Sequence, residues 1–261
     1  MPDPSLKQRV RESFDRAAET YDGAAVVQRR VCDRLLEELV GFHAAIPGTI
    51  LDAGCGTGYG AGILGARWPN AQIVVADFAP AMVRQARRGH TFCCAADIEH
   101  LPFRAQAFDV WWSSLTVQWC DLATTFTEAA RVLRAGGALA VSTLGPATFH
   151  ELRDAFSGVD QYRHTLPFSE PDRIAAVLET AGLQKVMLKR ETHTVFYPDL
   201  KALLRAVKDI GANNVGDNGR SGMFGRRAWQ QVQTAYERHR TAEGLPASYD
   251  VVLACAEKAG N

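Results

Sequence analysis

Three aspartates each stand at or just beyond the end of a short apolar run: Asp52 in Thr49–Ala53, Asp77 after Gln72–Ala76, and Asp97 beyond Thr91–Cys94. The first opens a glycine-rich stretch, Leu51-Asp52-Ala53-Gly54-Cys55-Gly56-Thr57-Gly58. Glycine permits a tight strand-to-helix turn and lets a ligand approach the backbone closely. Gly56-x-Gly58-x-x-Ala61 also matches a dinucleotide fingerprint, so the glycines alone do not choose a ligand. Asp52 does choose. A carboxylate at that strand end repels a pyrophosphate and attracts a cation. No Gly-Lys-Ser/Thr follows, which excludes a P-loop.

Asp77 lies nineteen residues past Gly58, close to the roughly 20-residue offset at which an acid meets ribose hydroxyls. Asp97-Ile98 is placed to reach an adenine. A nucleoside bearing an ammonium and a sulfonium but no phosphate satisfies all three acids, and S-adenosylmethionine is such a molecule. One aspartate taken alone reads equally well as a helix cap; three in series behind the glycine loop do not.

The elements that must position these acids follow from periodicity. Residues 5 to about 42 are helical in spacing, with Val10, Phe14, Ala17 and Ala18 on one run and Val27, Val31, Leu35, Leu36 and Leu39 on the next. Asp22-Gly23 is expected to break them. From Thr49 the texture alternates short strands with helices: Thr49–Ala53, Gln72–Ala76, Thr91–Cys94, Phe108–Trp112 and Ala138–Thr143. Gln184–Phe196 and Tyr249–Cys255 read as later strands. Between them, Pro198-Asp199 opens a helix with Leu200, Leu203, Leu204, Val207 and Ile210 on one face, Gly211–Gly225 reads as a loop, and Arg226–Arg240 as another helix. The fold class expected is α/β with a parallel, doubly wound sheet. One domain spans 1–261, with a helical lid over 1–45, a core over 46–197, a helical insertion over 198–246 and the last strand over 247–261.

Composition narrows the classes. Lys plus Arg equal Asp plus Glu, 29 against 29, which gives no electrostatic footprint for nucleic acid. No run approaches the ~18 apolar residues of a membrane span, and Met1 to Ser5 lead into a charged helical pattern rather than an apolar signal region. The six cysteines show no CxxC pair and no metal-ligand spacing, so they read as free thiols in a reducing compartment, with the cytoplasm expected. The histidines form no metal arrangement, and no metal is expected. The expected state is a monomer.

Residues 49–145 resemble the class I S-adenosylmethionine-dependent methyltransferases. The resemblance rests on the Leu51–Gly58 loop, Asp77-Phe78, Ala96-Asp97-Ile98-Glu99-His100-Leu101-Pro102-Phe103, Phe108-Asp109-Val110 and Arg131-Val132-Leu133-Arg134-Ala135-Gly136-Gly137. It implies a seven-stranded sheet whose last strand is antiparallel. The cofactor residues expected are Asp52, Gly54, Cys55, Gly56, Gly58, Asp77, Phe78, Met82, Asp97, Ile98 and Ser113.

The stretch after the fourth strand usually faces the transferred methyl; here it is Ser113-Ser114-Leu115-Thr116-Val117-Gln118-Trp119-Cys120. It holds neither an Asn/Asp-Pro-Pro-aromatic element nor a Pro-Cys nucleophile, which argues against nucleic-acid bases as acceptor. Val117-Gln118-Trp119-Cys120 resembles the malonyl-acyl-carrier-protein O-methyltransferases of biotin synthesis. So do Phe14-Asp15-Arg16-Ala17-Ala18-x-x-Tyr21-Asp22, Ser142–Gly145 with Phe149–Arg153, and Lys208–Ala212. The resemblance implies methylation of a malonyl carboxylate, with malonyl-acyl carrier protein or malonyl-coenzyme A as partner. Such a carboxylate is ionised near neutral pH and needs no general base, only positioning and hydrogen-bond donors. Tyr21, Gln118, Trp119 and Arg153 are the candidates, Arg153 offering a bidentate fork. A carboxyl methyltransferase of the trans-aconitate type and a non-catalytic cofactor-binding regulator remain as alternatives. Lys201, Arg205 and Lys208 form one basic stripe at helical spacing, suited either to an acidic carrier or to solvent. Arg220, Arg226 and Arg227 follow it, and Arg84, Arg87 and Arg88 form a second patch.

Overall fold

Alternation along the central strands sends successive side chains into two different cores. In a computed structural model, which describes residues 4–212 and 225–260, Ile50, Val110 and Trp112 pack into one buried cluster while Leu51, Ala53 and Trp111 pack into the other. Strands buried on both faces read as continuous apolar runs, the signature of a parallel sheet covered on both sides. The strands are β1 (Thr49–Ala53), β2 (Gln72–Asp77), β3 (Phe92–Ala95), β4 (Phe108–Ser114), β5 (Leu133–Leu144), β6 (Leu183–Tyr197) and β7 (Leu245–Lys258). Their order in the sheet is β3-β2-β1-β4-β5-β7-β6, and β7 is antiparallel to both neighbours. The antiparallel last strand implied by the family resemblance is therefore present.

The helices are α1 (Pro4–Ala17), α2 (Tyr21–Ala24), α3 (Val26–Phe42), α4 (Tyr59–Arg67), α5 (Pro80–Ala86), α6 (Leu122–Val132), α7 (His150–Ser157), α8 (Pro171–Thr180), α9 (Leu200–Asp209) and α10 (Arg226–Glu237). Buried residues of α3, α4, α7, α9 and α10 join the Ile50 core, and those of α6 and α8 join the Leu51 core. Among the described residues no helix is long and apolar enough to cross a membrane.

Two expectations need correction. Asp22-Gly23 does not break the N-terminal helices but lies inside α2; the interruptions fall at 18–20 and at Ala25. Asp22 suits the first turn of that short helix, where a carboxylate meets unpaired backbone N–H groups. The last strand starts at Leu245 rather than Tyr249, because Ser248 and Asp250 are buried polar residues that interrupt its apolar pattern. Glu151 accepts from Ser248 and Arg190 grips Asp250, so neither needs water. Most of the loop expected at Gly211–Gly225, with Arg220, lies outside the described residues.

Candidate active site

The strand order reverses between β1 and β4, and in doubly wound sheets ligands bind at that switch point, beyond the strand carboxyl ends. Here the ends of β1 and β4 frame a cleft roofed by α1, α2 and the start of α3. Its floor is the glycine loop. Gly54 N and Cys55 N both donate to Ala76 O, at 2.7 and 3.0 Å, which folds the loop across β2. Gly54, Gly56 and Gly58 all have positive φ, and a Cβ at Gly54 would collide with Thr116. These positions therefore require glycine.

Asp52 is 2% exposed, and among the described residues its Oδ2 has no hydrogen-bond partner. Burial, with a smaller push from Asp77, raises its carboxyl pKa to about 7. A buried, unpartnered carboxylate oxygen in a cleft wall fits a cationic ligand group, which would restore the lost solvation. Asp77 is held differently: Oδ2 accepts from Gly56 N at 2.9 Å and Oδ1 from Ala79 N at 2.8 Å. Burial still pushes it up to about 6. Both oxygens keep a lone pair for a hydroxyl donor. Asp97 accepts from Glu99 N at 3.0 Å and pairs with Lys7 of α1, which also reaches Glu99 at 3.0 Å.

The roof is tied down by polar contacts. Asp15 accepts from Ala81 N at 2.7 Å, Thr57 Oγ1 donates to Asp22 at 2.7 Å, and Thr20 Oγ1 donates to Asp209 O at 2.9 Å. Helices α1 and α2 thus contact α5, the glycine loop and α9 at once.

Of the cofactor residues expected from sequence, Asp52, Gly54, Cys55, Gly56, Asp77, Phe78, Met82, Asp97 and Ile98 line the cleft. Two do not. Gly58 sits behind the loop, against His90. Ser113 is fully buried and donates to Ala53 O at 2.7 Å, tying β4 to β1. The cleft is lined instead by Ser114, Leu115 and Thr116. A one-residue offset in a strand reverses the facing, and Ser113 falls on the wrong side. Lys7, Gln28, Arg29, Gly60 and Trp112 also line the cleft and were missed. Lys7, Gln28 and Arg29 come from helices remote in sequence, so no local motif could reveal them.

A second pocket adjoins the first and shares with it Phe14, Tyr21, Gln28, Leu115 and Trp119. Tyr21 is therefore part of both walls; its phenol pKa is raised by burial. Trp119 packs edge-on against Phe14, ring centroids 5.6 Å apart. Gln118 lines the second pocket, its Nε2 donating to Leu115 O at 2.6 Å and its Oε1 accepting from Thr143 at 3.3 Å. The remaining wall is mostly apolar, interrupted by His164, Thr165 and Tyr249. His164 stacks on Phe156 and bonds Asp160 at 2.8 Å.

Arg153 does not join this site. Its guanidinium donates to Thr148 O and, at 2.7 Å, to Pro146 O, and it lines neither pocket. Carbonyls of the turn after β5 take up the fork that sequence assigned to a substrate carboxylate. No Lys or Arg lines the second pocket among the described residues.

Residues 51–141 match the model of a methyltransferase domain. Solved structures share the fold at low identity. The [4+2]-cyclase SpnF aligns with a TM-score of 0.62 at 18% identity, covering 100% of this chain and 99% of its own. YcgJ of Bacillus subtilis aligns at 0.60 and 16%, covering 88% and 100%. Those likenesses concern fold alone, and a cyclase among them shows that the fold does not dictate the reaction. Sequence relatives are far nearer. A malonyl-[acyl-carrier protein] O-methyltransferase of Dechloromonas aromatica is 49% identical, covering 97% of this chain and 95% of that one. One from Herminiimonas arsenicoxydans is 41% identical, covering 99% and 98%. With glycine loop, acid series and nearly full-length likeness in agreement, this chain belongs to the malonyl-[acyl-carrier protein] O-methyltransferase family.

Proposed function

We propose that this protein methylates the free carboxylate of a malonyl thioester borne by an acyl carrier protein, giving a methyl ester in an early step of biotin synthesis. The observation that carries the reading is the likeness to the Dechloromonas relative along nearly the whole chain. The joined pockets agree with it. One wall, bearing Tyr21 and Trp119, separates an acid-lined cleft from a mostly apolar pocket.

S-adenosylmethionine, when bound, supplies the methyl group. Asp77 is suited to its ribose hydroxyls, with Asp97 and Ile98 toward the base and Phe78 and Met82 as apolar walls. Asp52 and the backbone of Gly54, Cys55 and Gly56 serve the charged methionine end. The acceptor carboxylate needs no proton removed near neutral pH. The protein's task is to strip its water, aim one oxygen and compensate the desolvation with hydrogen bonds. Tyr21, Gln118 and Trp119 are the proposed donors and walls. They are neutral, and a neutral donor leaves more charge on the attacking oxygen than a guanidinium would.

The test is mass spectrometry of malonyl-carrier after incubation with S-adenosylmethionine. The expected product has gained one methyl group, with S-adenosylhomocysteine formed in equal amount. Methylation of free di- or tricarboxylates with none on the carrier would overturn the reading in favour of a small-molecule enzyme.

A further inference from the structure

A groove runs between the α2–α3 corner and α9, and it shares Gln28, Ile210 and Tyr249 with the second pocket. The two therefore adjoin across these three side chains, of which Tyr249 is buried. Its rim includes Val26, which is 48% exposed on a helix that is otherwise well packed. Val195 supplies apolar wall on the opposite side, and Arg205 stands at the edge. Helix α9 thus has two working faces. Leu204 and Val207 line the second pocket, while Lys201, Arg205 and Lys208 are exposed. Asp209 also borders the groove, so the exposed charge of α9 remains net positive by two.

The geometry points to this groove as the entry path for the thioester arm, with the basic face of α9 as docking surface for the acidic carrier protein. The inference rests on the proposed function and adds to it the route and the contact face. The occupant follows from two observations together. A malonyl group delivered on a carrier needs a continuous way in from the surface, and this groove opens beside the second pocket. Its outer lip carries the charge that an acidic partner requires. The exposed Val26 offers the aliphatic part of the arm an apolar contact that solvent does not.

Two variants and two substrates test it: Lys201→Glu, on the exposed basic face but outside the groove lining, and Ala206→Trp, each assayed with malonyl-carrier and with malonyl-pantetheine, which has the arm but no protein. Ala206 lines the groove, so a tryptophan there obstructs the arm itself. Lys201→Glu is expected to raise KM for malonyl-carrier about tenfold, the scale of one lost charge contact, and to leave malonyl-pantetheine within about twofold. Ala206→Trp is expected to raise KM for both substrates. S-adenosylhomocysteine affinity, measured by calorimetry, is expected to stay unchanged in each and so to report an intact fold. Wild-type KM for malonyl-carrier in both variants would overturn the groove assignment. A wild-type protein that methylates neither substrate would instead overturn the reading beneath it.

Discussion

Asp52 on β1 and Trp112 on β4 are register partners in the parallel sheet, and their side chains converge beside Gly60. A Cβ at Gly60 would lie 2.9 Å from Asp52 Oδ2 and 3.0 Å from Trp112 Nε1. Neither atom has a hydrogen-bond partner among the described residues. Buried polar groups are nearly always paired, and both residues of this couple line the cleft.

Asp52 makes ligand binding and stability move oppositely with pH. Burial raises its pKa in the folded chain to about 7, against about 3.9 in an unfolded chain. Its neutral form therefore contributes stability that is fully present below about pH 4 and lost as pH rises through about 7. A cationic ligand prefers the ionised form, so S-adenosylmethionine affinity should rise over the same upper range. Asp52→Asn should raise Tm at pH 8 relative to wild type and flatten the pH dependence of affinity by calorimetry. A variant with the wild-type pH profile would show that Asp52 does not face the cation.

Gly60 and Gly62 offer a paired test within α4. Replacing helical glycine by alanine ordinarily stabilises by up to about 1 kcal/mol. Gly62 has open space around it, and Gly62→Ala should follow that rule. At Gly60 the added methyl meets Asp52 and Trp112, so Gly60→Ala should destabilise by about 1–3 kcal/mol and weaken S-adenosylmethionine binding. Chemical denaturation of both variants decides; equal gains would mean the crowding at Gly60 relaxes freely.

Arg153→Ala should behave as a structural variant. Its lost bonds to Thr148 O and Pro146 O are charge-assisted, worth about 2–3 kcal/mol together. Thermal unfolding should register that loss while KM for malonyl-carrier stays within about twofold. A large rise in KM with unchanged Tm would return Arg153 to the acceptor.

Tyr21→Phe keeps the ring that both pockets share and removes only the hydroxyl. If the phenol donates to the acceptor carboxylate, kcat should fall about tenfold or more, with S-adenosylmethionine affinity retained. Unchanged kcat would leave Tyr21 a wall.

The acid-lined cleft of this protein was written locally in the chain. A strand end, alternating glycines and acids at successive strand ends are sequence-local features, and their chemistry follows from residue type and spacing. Leu51 to Gly58 and Asp77 therefore mark a ligand cleft in the sequence alone. Ser113 marks the edge of that legibility, because which of two neighbouring residues faces a ligand depends on strand facing, not on motif. The proposed acceptor pocket was decided by tertiary structure. Tyr21, Gln118, His164, Leu204 and Tyr249 come from five separate segments and share one pocket only because α2, α9 and the start of β7 meet beyond the carboxyl ends of β4 and β5. Arg153 shows the physical reason most directly. Its charge and its place after β5 are visible in the sequence, yet in the folded chain its guanidinium donates to backbone carbonyls of the turn that precedes α7.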